Sequence, residues 1–285
     1  MGTYAVTGSA SGMGHQAAER LRAAGHRVVG VDLRDADVVA DLSTPQGRAE
    51  AADAVLEAIG GGPLSGAVLS AGIGPTPGAD RPRLIYQVNY FGVVDLLTAW
   101  RPALAAAGNA KVVVVASNST TTTPAVPRRA VRALLAGDPG KAQRAVSLFG
   151  PAAPPMAYAA SKLAVSRWVR RHAVTADWAG AGIRLNALSP GAILTPLLEQ
   201  QLATPREAKT VNAFPVPVGG FGDPGSLADW MIFMLSDAAD FLCGSVIFVD
   251  GGSDAYFRSD SWPKAPSVLG LPRYLWRFAT FSRRL

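Results

Sequence analysis

The feature that most constrains this chain is a glycine-rich turn set between a strand and a helix, Thr7-Gly8-Ser9-Ala10-Ser11-Gly12-Met13-Gly14. Thr3–Val6 before it is short and β-rich. Gly12–Ala24 after it carries Ala17, Ala18, Leu21 and Ala24 on one helical face, and Gly25 stands where a helix would stop. Val28–Val31 is the next apolar run, so the chain opens on a βαβ unit. Glycines alone could serve a simple turn. Between a strand and a helix they let the backbone approach a pyrophosphate, which the free N–H groups and positive dipole end of the helix attract. The placement predicts a dinucleotide site on Gly8, Ser11, Gly12, Met13 and Gly14.

The alternation continues. Pro45–Ile59 reads as a helix, Ala67–Ser70 as a strand, Arg83–Ala107 as one long helix and Lys111–Ala116 as an apolar strand. Met156–Trp178 reads as a helix, Ile183–Leu188 as a strand, Pro224–Ser236 as a helix and Ser245–Val249 as the last strand. Apolar strands alternating with helices predict a parallel sheet covered on both faces. The expected fold is α/β, a doubly wound Rossmann fold in one domain, with a parallel seven-stranded sheet and ligands at the carboxyl ends of the strands. It would span residues 1–257, with an insertion at 124–155 and a basic extension at 258–285.

Composition narrows the function. With 49% hydrophobic and only 17% charged residues, disorder is excluded. The single cysteine, Cys243, excludes an intrachain disulfide and a cysteine-cluster metal site, and reads as a small buried apolar residue. His15, His26 and His172 show no metal-ligand spacing and read as surface residues, so no metal is expected. No signal peptide and no membrane span are expected, which points to the cytoplasm. The net charge of +6 would suit nucleic acid if it were spread over the surface. It is concentrated instead. Arg258, Lys264, Arg273, Arg277, Arg283 and Arg284 face only Asp260 in the tail. Arg128, Arg129, Arg132, Lys141 and Arg144 face only Asp138 in the insertion, and the remainder is slightly acidic. Nucleic-acid binding is not expected.

Asp32, followed by Leu33, ends the second strand 18 residues after Gly14. A carboxylate there can accept both adenosine ribose hydroxyls and would repel a 2′-phosphate, which argues for NAD over NADP. Arg34 nearby reads as the ion-pair partner of Asp35 or Asp37. Asp41 and Leu42 would cover the adenine, and Ser70-Ala71-Gly72 would close on the cofactor ribose. Tyr158-Ala159-Ala160-Ser161-Lys162 places a phenol and an ammonium one helical turn apart. An adjacent positive charge favours phenolate, and without it the pair is an ordinary surface contact. Ser117, ending the apolar Val112–Val115 run, could orient a carbonyl oxygen. Asn89 is a polar residue in an apolar helix, where a satisfied buried amide is the plain reading. Pro190–Thr195, with Ile193 and Thr195, follows the sixth strand. Ile193–Leu198, with Pro215 and Pro217, reads as a mobile apolar substrate loop suited to a large hydrophobic alcohol or ketone.

In this order the motifs resemble the short-chain dehydrogenase/reductase family in its non-extended form: TGxxxGxG at Thr7–Gly14, Ser70–Gly72 for the usual NNAG, Asn89, Ser117, YxxxK at Tyr158–Lys162, PGxxxT at Pro190–Thr195, and Val249–Gly252. Val28–Ser43, the VNYFG around Asn89 and the 41-residue interval from Ser117 to Tyr158 are similar to the bacterial 3α-hydroxysteroid dehydrogenase/carbonyl reductase branch and its coniferyl-alcohol dehydrogenase relatives. The resemblance implies hydride transfer between a nicotinamide and an alcohol or carbonyl carbon. Tyr158 would be the general acid and base. Lys162 would lower its pKa and hold the nicotinamide ribose, Ser117 would bind the substrate oxygen, and Asn89 would hold a water next to Lys162. Ile193 and Thr195 would fix the carboxamide.

The family's Tyr158-type helix commonly packs in a four-helix subunit interface. The insertion is therefore expected to remodel that contact, giving a dimer, or a tetramer with an altered interface. The tail, with Leu275, Phe278, Phe281 and Leu285 at helical spacing over Tyr274–Leu285, is expected to pack on the body or a partner subunit rather than on anionic membranes. A catalytically idle dinucleotide-binding regulator is the rival reading, opposed by the intact Asn89, Ser117, Tyr158 and Lys162.

Overall fold

In the computed structural model, which describes residues 1–203, 205–262 and 267–281, seven parallel strands form one sheet in the order β3-β2-β1-β4-β5-β6-β7. The strands are β1 (Thr3–Thr7), β2 (Arg27–Asp32), β3 (Val38–Val39), β4 (Gly66–Leu69), β5 (Ala110–Val115), β6 (Ile183–Pro190) and β7 (Val246–Val249). The strand order reverses between β1 and β4, and the crevice at such a switch point is where ligands bind in this architecture. There Ala71 N–H donates to Thr7 Oγ1 at 3.1 Å, tying the two strand ends together.

Period-two alternation divides the strands' side chains between two cores. Ala5, Val29, Val31, Ala67, Leu69, Val112, Val114, Leu185 and Ala187 face one layer. That layer comprises α2 (Pro45–Ala58), α4 (Gly92–Ala106) and α8 (Ala153–His172). Tyr4, Val6, Val28, Val68, Val113 and Leu188 face α1 (Gly12–Ala23) and α11 (Pro224–Leu235). Such a two-layer cover is why these strands read as unbroken apolar runs.

Helix boundaries depart from expectation in three places. The predicted long helix is divided into α3 (Arg81–Tyr86), a π-helical turn over Gln87–Phe91 and α4. α8 begins three residues before Met156, because Pro154 and Pro155 fit a helix's first turn, where no N–H is needed; it stops at His172, well short of Trp178. The tail helix occupies Leu271–Ala279 (α13 below), earlier than Tyr274–Leu285.

The short α5 (Ser119–Thr122) precedes the insertion, which holds α6 (Arg128–Leu135) and α7 (Pro139–Ser147), the latter capped by Asp138 Oδ1 accepting from Lys141 N–H at 2.7 Å. α6 buries Ala130, Val131, Ala133 and Leu134 and packs on α8. Beyond β6 come α9 (Pro196–Leu202) and α10 (Pro205–Asn212), and beyond β7 come α12 (Ser253–Arg258) and α13 (Leu271–Ala279). No residue of α13 is buried, so the expected packing of the tail on the body is not what the fold shows. Lys264, Arg283, Arg284 and Leu285 lie outside the described residues. Among the described residues no helix is long and apolar enough to cross a membrane, and no group of three or more His, Cys, Asp or Glu could hold a metal ion.

The single-residue readings fare unevenly. Cys243 is half-buried, its thiol 3.2 Å from Ala173 O, and burial pushes its pKa up. The three histidines are half-buried, not surface residues, and each meets a backbone group: His15 with Ser9 O, His26 with Gly2 N–H and His172 with Trp168 O.

Candidate active site

Two clefts open at the carboxyl ends of the strands and share Met13, Ser70, Gly72, Ile73, Thr195 and Leu197. The first, about 190 Å³, is lined by Gly8, Ser11, Gly12, Met13, Asp32, Leu33, Asp41, Leu42, Ala71 and Gly72. Those ten, with Thr195, are eleven of the residues expected to hold a dinucleotide. Gly14 lies behind them: a Cβ there would stand 2.2 Å from Gly8 O, so only glycine lets α1 close on the turn. Gly8 itself has φ +72°, and a Cβ would meet Ala71 N at 2.8 Å.

The chemistry of the first cleft fits a dinucleotide. α1 starts without a side-chain cap and without an acidic residue in its first turn, so its N–H groups face the cleft uncompensated. At the far end Asp32 is held as a fixed carboxylate: Oδ2 accepts from Ala10 N–H at 2.9 Å and Oδ1 from Leu33 N–H at 2.7 Å. Arg34 is exposed and lies 4.0 Å from Asp35, whereas Asp37 binds Arg22 and Gly30 N–H.

The second cleft, about 450 Å³, contains Ser117, Tyr158, Lys162, Ile193 and Thr195 among its walls. The Tyr158 phenol and the Ser117 hydroxyl share this cleft and influence each other. Burial pushes the phenol's pKa up, and the Ser117 hydroxyl pulls it partly back. Lys162 is 5% exposed, and its Nζ donates to Val115 O at 2.8 Å, 5.9 Å from the Tyr158 ring centre. Desolvation lowers its own pKa to about 8. Burial sets the direction of the phenol's shift, and the lowering that opposes it comes from Ser117 and not from Lys162. Ile193 is buried, and Thr195 Oγ1 returns to Ile193 O at 3.3 Å.

Asn89 is fully buried at the centre of the π-turn. Its Oδ1 accepts from Ile73 N–H at 2.9 Å and its Nδ2 donates to Ile73 O at 3.0 Å, so both halves of the amide are spent on one residue of the cleft wall. The satisfied-amide reading holds, and it explains the broken helix: the wider turn directs Asn89 at the β4 loop. A Cβ on Gly72 would lie 3.4 Å from Asn89 Oδ1 and 3.7 Å from Lys162 Nζ, which shows how closely the three meet.

Sequence reading missed two supports. Arg48, 5% exposed, binds Asp95 at 2.7 Å, Leu42 O at 3.1 Å and Gln87 Oε1 at 2.9 Å, joining the first cleft's wall to the π-turn. Its signal was a charge on the stripe of Ala51, Ala52 and Val55. Asp250, 8% exposed, accepts from Asn118 Nδ2, Gly252 N–H and Asp254 N–H behind Ser117.

This is the architecture of a dinucleotide-dependent oxidoreductase of alcohol and carbonyl groups. A model of the NAD dependent epimerase/dehydratase family matches residues 4–196, and one of enoyl-(acyl carrier protein) reductase matches residues 145–254. The chain is 38% identical to the 3-alpha-hydroxysteroid dehydrogenase/carbonyl reductase of Comamonas testosteroni, over 90% of this chain and 98% of that protein. It is 30% identical to the coniferyl-alcohol dehydrogenase of a Pseudomonas strain, over 87% and 94%. The crystal structure of the 3-alpha-hydroxysteroid dehydrogenase from Pseudomonas sp. B-0831, complexed with NADH, superposes with a TM-score of 0.84 at 43% identity, covering 91% of this chain and all of that one. The chain belongs to the short-chain dehydrogenase/reductase family.

Proposed function

We propose that the protein is an NAD-dependent dehydrogenase/carbonyl reductase of large hydrophobic secondary alcohols and ketones, hydroxysteroids being the foremost class. The observation that carries this reading is the meeting of Ser117, Tyr158 and Lys162 at the carboxyl end of β5, in an apolar cleft that merges with the dinucleotide cleft. Hydride donation and acceptance are what a nicotinamide supplies when bound. The chain's own residues do the rest. Ser117 orients the substrate oxygen. Tyr158 takes its proton during alcohol oxidation and returns it during reduction. Lys162, still mostly protonated at neutral pH, puts a positive charge below the reacting groups, and Asn89 fixes the neighbouring loop at Ile73. Asp32 supports NAD as the preferred form, because a fixed carboxylate at the end of β2 would accept from the ribose hydroxyls and repel a 2′-phosphate. The cytoplasm, where free dinucleotide is held, is the setting this reading implies.

Substrate size is supported by a third cleft. It shares Pro75, Pro155 and Val211 with the catalytic one and is walled by the insertion through Gln143, Val146 and Ser147. An elongated apolar molecule could extend from Tyr158 toward α7. We further read the chain as a homo-oligomer, a dimer first, because α6 and α7 both pack on α8 and occupy part of its outer face. Sedimentation that finds the family's usual tetramer would contradict that part. The substrate reading is tested by NAD reduction across steroid, terpenoid and aromatic alcohols, repeated with NADP. Hydroxysteroids with NAD should give the highest kcat/KM. Preference for a terpenoid or coniferyl-type alcohol would move the substrate class, and NADP preference would overturn the role of Asp32.

A further inference from the structure

We infer that α13 docks on an anionic lipid surface and holds the rim of the catalytic cleft against it. At 100° per residue, Leu271, Tyr274, Leu275 and Phe278 share one arc of the helix, and Arg273 and Arg277 lie one turn apart on the opposite side. A helix of this pattern normally turns its apolar arc to a core. Here Leu275 is 55% exposed and Phe278 is 78% exposed.

Charge selects the occupant. From Ser261 to Leu285 the sequence contains no Asp or Glu, yet it contains Lys264, Arg273, Arg277, Arg283 and Arg284. An acidic bilayer offers an apolar layer for the aromatic arc and negative headgroups for the guanidiniums, which reach them along their flexible stems. A nucleic acid would engage the arginines and leave the aromatic arc in water. Tails meeting across a twofold axis would bring like charges together.

The tail is rooted at the cleft. In α12 the Phe257 ring lies 5.7 Å from Phe214, which lines the catalytic cleft. Asp254 accepts from Thr121 Oγ1, and the neighbouring Thr122 and Thr123 are cleft walls. Arg258 then stacks on Phe248 and Trp262, at 5.5 and 5.7 Å, where the chain leaves the sheet. Docking would hold the cleft mouth near the phase in which hydrophobic alcohols concentrate; this last consequence rests on the proposed substrate class, and the docking itself does not.

The test is co-sedimentation of the full chain with vesicles of phosphatidylcholine alone or mixed with phosphatidylglycerol, across a salt series. The chain should pellet with the anionic vesicles and lose binding as salt rises. Arg273→Gln/Arg277→Gln should weaken binding about thirtyfold, and Leu275→Ser/Phe278→Ser should weaken it comparably. Unfolding midpoints equal to the parent's establish that both variants fold. Equal pelleting with both vesicle types, or no effect of either pair of substitutions, would overturn the proposal. So would loss of an oligomer in lipid-free buffer on making Leu275→Ser/Phe278→Ser, since that assigns the arc to a second copy. Vesicle binding is read without turnover, so failure of the dehydrogenase reading leaves this result standing.

Discussion

Lys162→Met should make the enzyme inactive and, near neutral pH, more stable. Lys162 is almost fully buried and its pKa falls from the ordinary 10.5 to about 8 by desolvation. A shift of that size means that holding the ammonium in the fold costs about 3 kcal/mol. Methionine keeps the length and removes the charge. It also removes the donor to Val115 O, and an unpaired buried carbonyl costs about 1–2 kcal/mol. The difference leaves the variant about 1–2 kcal/mol more stable at pH 7. The folded-state pKa lies below the unfolded one, so the parent bears the whole handicap below about pH 8 and sheds it as pH rises toward about 10.5. Near that upper limit only the lost hydrogen bond remains, and the order of stability reverses. Urea unfolding of both proteins at pH 7 and about pH 10.5, in the absence of dinucleotide, reads both signs; turnover of the variant should fall at least a hundredfold. A variant that is several kcal/mol less stable than the parent at pH 7, with no reversal at high pH, would refute the reasoning.

Other expectations follow from the same geometry. Ser117→Ala removes the hydroxyl that pulls the Tyr158 phenol's pKa down, so the rise of alcohol oxidation with pH should move to higher pH and kcat should fall about a hundredfold; a pH–rate profile checks both. Asp32→Ala removes a carboxylate that would accept from the adenosine ribose, and KM for NAD should rise about ten- to hundredfold while discrimination against NADP shrinks, as steady-state kinetics with both would show. Arg48→Met unties Leu42 from Gln87, so it should cost about 2–3 kcal/mol in urea unfolding and raise KM for the dinucleotide more than it lowers kcat.

What the sequence made legible was local and periodic. The parallel sheet followed from six apolar runs, and the glycine turn from Gly8 and Gly14, whose neighbours leave no space for a side chain; the two-residue β3 (Val38–Val39) was too short to show as a run. The Tyr158–Lys162 pair followed from helical spacing, because α8 is regular across it. The π-turn was not legible: nothing in Gln87–Phe91 departs from helix pattern, and its cause is Ile73, sixteen residues from Asn89. Arg48 was hidden for the same reason, its partner Asp95 being 47 residues away. The balance of forces on Tyr158 also depended on burial, which spacing does not carry. For α13 the alternation of apolar and basic positions was readable, but the surface it meets was not, because the same alternation suits a protein core, a second copy or a bilayer.

The central claim is that Tyr158 moves the proton in an alcohol–carbonyl hydride transfer. Tyr158→Phe keeps the ring and deletes only the hydroxyl whose pKa Ser117 lowers. Turnover and NADH binding, the latter by fluorescence titration, should be measured together on this variant. The account predicts turnover lost by at least a thousandfold with the dissociation constant for NADH unchanged within about threefold. Near-normal turnover with intact binding would contradict it.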